Sequence, residues 1–183
     1  ALAQGHGIVF LTPHLGCFEI TAQQVALRTK LTVMYRPPKQ AALKPLMEGA
    51  RARGNLHLAP ATVAGVRILA RSLKNGEPVG VLPDQVPQQG EGVWAPSFGR
   101  AAYTMPLPAK LARMGKSPVL LVYAERLSKG RGFRLRFSRF EGSLDGSAAE
   151  QAASINRAME QLIAQCPAQY YWSYNRYKQP DGV

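Results

Sequence analysis

The fold is decided by residues 8–19, which read Ile8-Val9-Phe10-Leu11-Thr12-Pro13-His14-Leu15-Gly16-Cys17-Phe18-Glu19. Residues 7–12 are too uniformly apolar to be half exposed, so they predict a central, parallel strand. Residues 16–29 carry apolar side chains at helical spacing and predict a helix. His14 then lies at the strand-to-helix junction, and Glu19 lies in the first turns of the helix. Because open α/β sheets place their chemistry at the carboxyl ends of strands, this pair suits a general base and the carboxylate that orients it. Alternatively, the junction is only polar, with His14 as a cap and Glu19 solvated at the helix start.

Strand and helix patterns alternate along most of the remaining chain. The predicted strands cover residues 31–35, 56–59 and 78–82, and the predicted helices cover residues 40–53, 62–75 and 107–115. Thr62 is a candidate N-cap. The alternation indicates an α/β fold with a mostly parallel central sheet flanked by helices. Residues 86–103 are rich in Gly, Pro and Gln, and they predict a long loop of the kind that forms lids and binding surfaces.

The last third of the chain predicts an antiparallel hairpin followed by a helix. The hairpin strands are residues 117–125 and 133–140. Because apolar and cationic side chains alternate from Phe133 to Phe137, we expect one face of the second strand to be buried and the other to be cationic. Ser147 and Glu150 have the spacing of a capping box, which marks the start of the final helix.

The charge of the chain indicates an anionic partner. It has 183 residues, with 23 Lys and Arg against 11 Asp and Glu, which gives a net charge of +12. A nucleic acid, an anionic membrane surface, lipid phosphates or an acidic protein would each fit this charge. The dense basic patch from Arg126 to Arg139 fits a solvated face, which is the commonest case, a surface that docks the acidic acyl carrier protein, or one that lies on an anionic inner leaflet.

Metal and disulfide chemistry are not indicated by the sequence. Cys17 and Cys166 lie far apart and have neither metal-ligand nor redox spacing. His6, His14 and His57 also lack ligand spacing. We therefore expect no metal, no cofactor and no disulfide framework. No apolar run approaches the roughly 18 residues that a membrane span requires.

Three further candidates follow predicted strands on the edge that His14 would share if the strands are parallel. Arg36 follows residues 31–35 and could bind a phosphate or stabilise an oxyanion; alternatively it is a surface cation beside a proline turn. Asp84 and Gln85 follow residues 78–82. Asp84 could orient a cation or a hydroxyl, or it could cap a turn.

Several blocks of the chain, taken in order, resemble the late lauroyl and myristoyl transferases of lipid A biosynthesis in Gram-negative bacteria. The blocks are Thr12 to Glu19 as a His-x4-Glu motif, Tyr35-Arg36-Pro37, Pro83-Asp84-Gln85, Ala95 to Gly99 and the tail from Tyr170 to Lys178. Together they cover nearly the whole chain, although each one alone is weak. The leading membrane-anchoring helix of that family has no counterpart in this sequence, which begins at Ala1, so we expect a fragment.

The resemblance implies an acyltransferase-like αβα sandwich, with residues 1–183 as one domain. It implies transfer of a fatty acyl group from acyl carrier protein to a hydroxyl of an anionic lipid A precursor, on the cytoplasmic face of the inner membrane. By the family motif His14 would be the base, Glu19 its partner and Arg36 a substrate-binding residue. We assign Asp84 and Gln85 to substrate binding as well. Arg36 or the backbone N–H groups near Gly16 would stabilise the oxyanion.

Two other functions remain open. A glycerolipid or glycolipid acyltransferase that uses acyl-CoA would keep the chemistry, but such enzymes have a His-x4-Asp motif and a Pro-Glu-Gly block, whereas this chain has Glu19 and no such block. The charge would also permit a nucleic-acid-binding module. No zinc-finger spacing, RNP block or helix-turn-helix supports it, so we expect no nucleic-acid partner.

Overall fold

The computed structural model describes residues 5–37 and 54–180, together with residues 40, 42, 45 and 49. The strands are β1 (Val9–Leu11), β2 (Leu31–Tyr35), β3 (Leu56–Pro60), β4 (Val79–Val81), β5 (Val93–Ser97), β6 (Arg100–Thr104), β7 (Val119–Arg126) and β8 (Phe133–Arg139). The helices are α1 (Phe18–Ala26), α2 (Val63–Lys74), α3 (Leu107–Gly115) and α4 (Ala148–Gln165). The helix predicted over residues 40–53 falls mostly outside the described residues.

The strands confirm the predicted α/β class. Six of them form one sheet in the order β3-β2-β4-β1-β7-β8, and β5 and β6 form a separate two-stranded sheet. β2 pairs in parallel with β3 and β4, whereas β7 and β8 form the predicted antiparallel hairpin. Within the described part of the chain, no helix has the length and apolarity needed to cross a bilayer.

The chain groups into two compact units by its internal contacts, and the first comprises residues 1–10, 19–81 and 111–119. Its core contains β2, β3 and β4 with α2 packed against all three strands. Leu69 and Leu73 of α2 are buried there. The hydroxyl of Thr62 accepts the N–H of Gly65 at 3.3 Å, which confirms the predicted N-cap.

The second unit comprises residues 11–18, 82–110 and 120–183. In it α4 packs against β5, and Ala152 and Ala153 of the helix meet Ala95 of the strand. The helix begins at the predicted capping box, in which Ser147 and Glu150 exchange hydrogen bonds. Small residues on both sides of this contact let the helix lie close to the strand.

Two predictions about local structure were wrong. The expected loop over residues 86–103 contains the β5–β6 hairpin, in which Pro96 is tolerated because a two-stranded sheet has only edge strands. The expected buried face of β8 is also open, since Phe133 is 36% exposed and Phe137 is 50% exposed. β8 is the last strand of its sheet, and alternation along a strand shows which residues share a face but not whether another element covers that face.

Candidate functional site

His14 lies on a short irregular loop between β1 and α1. Leu15 forms an antiparallel bridge with Tyr170, and Gly16 forms a parallel bridge with Ala124 of β7. Gly16 has a φ of +61°, and a Cβ at this position would overlap with the carbonyl oxygen of Ala124. Only glycine therefore allows the loop to approach β7 so closely. The two bridges fix the backbone that carries His14.

The imidazole of His14 contacts the carboxylate of Asp84. His14 Nδ1 lies 2.8 Å from Asp84 Oδ1, and the backbone N–H of His14 donates to Asp84 Oδ2 at 2.8 Å. The side chain of Asp84 is 5% exposed and that of His14 is 16% exposed. Because a single carboxylate holds both the ring and the main chain of His14, the orientation of the ring is fixed relative to its own backbone.

The contact with Asp84 determines which ring nitrogen is available for chemistry. An ionised carboxylate accepts the Nδ1–H, so the neutral ring carries its lone pair on Nε2. The side-chain amide nitrogen of Gln85 lies 3.3 Å from His14 Nε2 and donates to that lone pair. The position that Gln85 occupies is therefore the position from which a hydroxyl group would donate its proton to Nε2.

Aromatic residues flank the imidazole. The ring of Phe18 packs edge-on against His14, with 4.9 Å between centroids, and the ring of Tyr171 lies at 6.3 Å. The backbone N–H of Tyr171 also donates to the carbonyl oxygen of His14 at 3.1 Å. Apart from its two polar contacts with Asp84 and Gln85, the partly buried imidazole is therefore bordered by aromatic rings.

Asp84 also lies within the electrostatic reach of a tyrosine and an arginine from the tail. Burial raises the pKa of Tyr170, and the charge of Asp84, to which the phenol donates a hydrogen bond, raises it further. Burial lowers the pKa of Arg176, while Asp84 opposes that change. Tyr170 is thus a neutral hydrogen-bond donor to Asp84 at physiological pH.

The guanidinium of Arg176 is buried among hydrogen-bond acceptors. It donates to the carbonyl oxygen of Tyr103 at 2.7 Å, to the hydroxyl of Thr104 at 2.6 Å and to the side-chain oxygen of Asn156 at 3.4 Å. A second tail residue, Tyr174, accepts the backbone N–H of Val86 at 2.9 Å. The tail therefore supports the loop that carries Asp84 and Gln85.

A cavity of about 340 Å³ adjoins this network, and its wall is mostly apolar. It is lined by Asp84, Ser97, Phe98, Asn156, Met159, Glu160, Ile163, Tyr170, Trp172, Ser173, Tyr174, Asn175, Arg176 and Tyr177. Since Asp84 contacts His14 and also lines the cavity, the cavity is adjacent to the candidate base. A volume of this size is in the range of small-molecule sites.

The structure brings three of the five predicted site residues together, namely His14, Asp84 and Gln85. Glu19 lies in the first turn of α1 and is partly buried. Arg36 follows β2 directly and is exposed. The contact with Nδ1 that the His-x4-Glu spacing assigns to Glu19 is made by Asp84. The roles of Glu19 and Arg36 stay predictions.

The contribution of the tail to the site was missed by the sequence reasoning. The aromatic and basic composition from Tyr170 to Lys178 is visible in the sequence, but it fits a membrane interface or a packed C-terminus and does not indicate a site. The structure also reduces the number of candidate oxyanion donors. The N–H groups of Gly16 and Cys17 donate to the carbonyl oxygens of Gln169 and Ala124 at 3.0 and 2.9 Å, so both are already hydrogen-bonded.

The arrangement provides a nitrogen base oriented by a buried carboxylate, beside a largely apolar cavity. This geometry suits removal of a proton from a hydroxyl group. Within residues 5–37 and 54–180, no three side chains of His, Cys, Asp or Glu are close enough together to hold a metal ion.

Comparison with known proteins gives a family match over almost the whole chain and several relatives of one class. Residues 1–179 match the family described as bacterial lipid A biosynthesis acyltransferase. The chain is 28% identical to the lipid A biosynthesis lauroyltransferase of Escherichia coli (strain K12), with 99% of this chain and 60% of that protein covered. It is 26% identical to the lipid A biosynthesis palmitoleoyltransferase of the same strain, with 97% and 58% covered. The chain thus spans about three fifths of the length of these relatives.

Proposed function

The chain belongs to the bacterial lipid A biosynthesis acyltransferase family, and on that premise we propose that it transfers a fatty acyl chain from an acyl carrier protein thioester to a hydroxyl of a lipid A precursor. His14 is the general base of this reaction and Asp84 is the residue that orients it. The names of the relatives, a lauroyltransferase and a palmitoleoyltransferase, support the reaction class. We place the reaction at the cytoplasmic face of the inner membrane, where an anionic acceptor lipid suits the net charge of +12.

The proposed reaction is a direct transfer without an acyl-enzyme. His14 Nε2 takes the proton of the acceptor hydroxyl while Nδ1–H stays bonded to Asp84, 2.8 Å away. The alkoxide oxygen attacks the thioester carbonyl and forms a tetrahedral intermediate. When this intermediate collapses, the C–S bond breaks and the imidazolium of His14 returns its proton to the departing thiolate. Atoms and charge balance without a cofactor.

The roles of the two acids differ in this proposal. Asp84 stabilises the imidazolium because it is buried and contacts Nδ1. Glu19 is assigned to His14 by the family motif, and a separate substitution must measure its contribution. Arg36 is proposed to stabilise the oxyanion or a phosphate of the acceptor, since its exposed guanidinium follows a strand of the sheet and the amides of Gly16 and Cys17 are already used.

One observation carries the proposal, namely the contact of both Asp84 oxygens with His14 at the wall of a largely apolar cavity. It is tested with purified protein, acyl carrier protein thioesters of several chain lengths and a lipid A precursor, with mass spectrometry of the lipid product. His14→Ala should abolish transfer. His57→Ala is the matched control, because His57 is an exposed histidine of β3, and it should leave transfer unchanged.

Three results would contradict the proposal in different ways. Near-normal turnover by His14→Ala would remove the assigned base. Transfer from acyl-CoA to a glycerolipid acceptor, with none to the lipid A precursor, would favour the other lipid acyltransferase class. Tight binding to duplex DNA at physiological salt without any acyl transfer would favour the nucleic-acid-binding alternative.

A further inference from the structure

Phe98 adopts a backbone conformation that is unfavourable for its residue type. Phe98 and Gly99 are the two residues between β5 and β6, and their φ values are 46° and 75°. Positive φ at both positions is the pattern of a type I′ turn, for which Asn, Asp and Gly are the preferred residues. A phenylalanine in the left-handed region is strained, and such strain is retained where the side chain has a role.

The turn is anchored so that the aromatic ring is presented outward. The backbone N–H of Phe98 donates to Glu160 Oε1 of α4 at 2.7 Å. The ring is 45% exposed, and it lies beside Trp172, which is 59% exposed, with 6.1 Å between the ring centroids. Exposed aromatic rings gain little from folding, so neither the strain of Phe98 nor the exposure of this pair is explained by stability.

Both aromatic residues line the cavity that reaches Asp84. Met159 and Ile163 of α4 line the same cavity, so an apolar surface continues from the exposed pair. The polar groups of this cavity are largely engaged already: Arg176 with its three acceptors and Glu160 with the turn of Phe98. What the cavity offers to a ligand is therefore mainly hydrophobic contact.

We propose that Phe98 and Trp172 form the entrance through which the alkyl chain of a fatty acyl group enters this cavity. The strained φ of Phe98 is kept because the turn has to place an apolar ring beside Trp172. Phe98 is thus a specificity-determining residue for the alkyl chain of the acyl group. This inference rests on the proposed function for its ligand class, but it concerns binding and can be tested without turnover.

The test replaces Phe98 by a residue that suits the turn. Phe98→Asn relieves the positive φ and removes the ring. Lys116→Asn is the matched control, because Lys116 is exposed and has a φ of 47°. Both variants should raise the melting temperature by about 2 °C, since each relieves a comparable strain. The binding probe is a dodecanoate that carries a photoreactive diazirine, and labelling of the peptide that contains Trp172 is measured by mass spectrometry against probe concentration.

Phe98→Asn should raise the half-saturating probe concentration about tenfold, as expected when one aromatic contact with the chain is lost. Lys116→Asn should leave that concentration unchanged. Equal labelling of Phe98→Asn and the wild type would overturn the inference, whatever the activity of the variant. If the wild type binds the probe in this way but makes no acylated lipid, the proposed reaction fails and the alkyl-chain site stands.

Discussion

Two contacts of a nitrogen side chain with a carboxylate in the second unit have the same length and different surroundings. His14 Nδ1 lies 2.8 Å from Asp84, and Arg136 lies 2.8 Å from Glu125. The side chains of the first pair are 16% and 5% exposed, whereas those of the second are 43% and 24% exposed. Water screens the second pair and leaves the first almost unscreened. The strength of the electrostatic interaction in each contact therefore depends more on burial than on the distance, which is the same in both.

The neighbours of each pair extend this contrast. Around Asp84 the structure places Tyr170 and Arg176, each buried enough for its pKa to shift. The hydrogen bond from Arg136 to Glu125 raises the pKa of Arg136, but this pair lies among the exposed cations of the β7–β8 hairpin. A buried pair keeps one geometry, which suits it to orient a catalytic group, whereas an exposed pair supplies charge to an open surface.

The largest effect is expected for Asp84→Asn, which keeps the shape of the side chain and removes its charge. Without the carboxylate, the tautomer with Nε2 free is no longer favoured and the imidazolium loses its counter-charge. We expect kcat to fall by about 10³-fold or more, by analogy with orienting carboxylates of this kind. Steady-state kinetics and circular dichroism measure activity and fold.

Glu125→Gln is the control for that substitution, because it makes the same change in the exposed pair. It should leave kcat within about twofold of the wild type and change the melting temperature by no more than about 2 °C. Equal losses of activity in the two variants would contradict the inference that the buried pair orients a catalytic group and the exposed pair does not.

Arg176→Met should have the next largest effect, on stability. The substitution removes the guanidinium donor from the buried oxygens of Tyr103 and Asn156, while Thr104 still accepts from Asn156 Nδ2. We therefore expect a loss of about 3 kcal/mol in the free energy of unfolding. Urea denaturation measures it. Arg134→Met, on the exposed strand β8, is the control and should change this energy by less than about 0.5 kcal/mol. A loss below 1 kcal/mol for Arg176→Met, at the scale of a surface change, would contradict the assignment of a buried network.

The third effect concerns stability at alkaline pH. Because the folded state raises the pKa of Tyr170 above its ordinary value of 10.0, the phenol stays protonated in the folded chain after it ionises in the unfolded chain. The contribution of Tyr170 to the free energy of unfolding is therefore fully present below pH 10. Above that pH it is lost by about 1.4 kcal/mol per pH unit, until the phenol ionises in the folded chain as well. Urea denaturation at several pH values between 9 and 11 should show that the free energy of unfolding falls less for Tyr170→Phe than for the wild type. Tyr171→Phe is the control, because Tyr171 is exposed, and its free energy of unfolding should fall with pH as that of the wild type does. If the two variants lost the same amount, the claim that the phenol of Tyr170 is buried would be contradicted.

The smallest effect is expected for substitution of an exposed arginine on β8. If β8 receives the acidic carrier protein, Arg134→Glu should raise the KM for the carrier thioester about threefold at low salt, and the difference should vanish near 0.5 M salt because exposed charges are screened. The same acyl group on pantetheine, which lacks the acidic protein, is the control donor and should show no change. A KM that stays the same for both donors would leave β8 as a solvated surface.

Sequence reasoning identified the local features of the site but not its long-range contacts. His14 at the end of β1, the N-cap at Thr62 and the capping box of α4 depend on residues a few positions apart, and each is confirmed. The pairing of His14 with Asp84 joins residues 70 positions apart. The local spacing pointed to Glu19 instead, because a short sequence motif includes only residues that are close together in the sequence.

Outside the β5–β6 hairpin and residues 40–53, the sequence by itself determined the alternation of strands and helices, the late hairpin, and a histidine and an acid after strand ends, because periodicity and capping are short-range effects of side-chain geometry. Only the tertiary structure decided that Asp84 holds His14, that Arg176 is buried and Arg136 exposed, and that Phe98 is presented beside Trp172. These outcomes depend on which distant segments exclude water from a given group. That exclusion is a property of the packed chain, and no window of the sequence contains it.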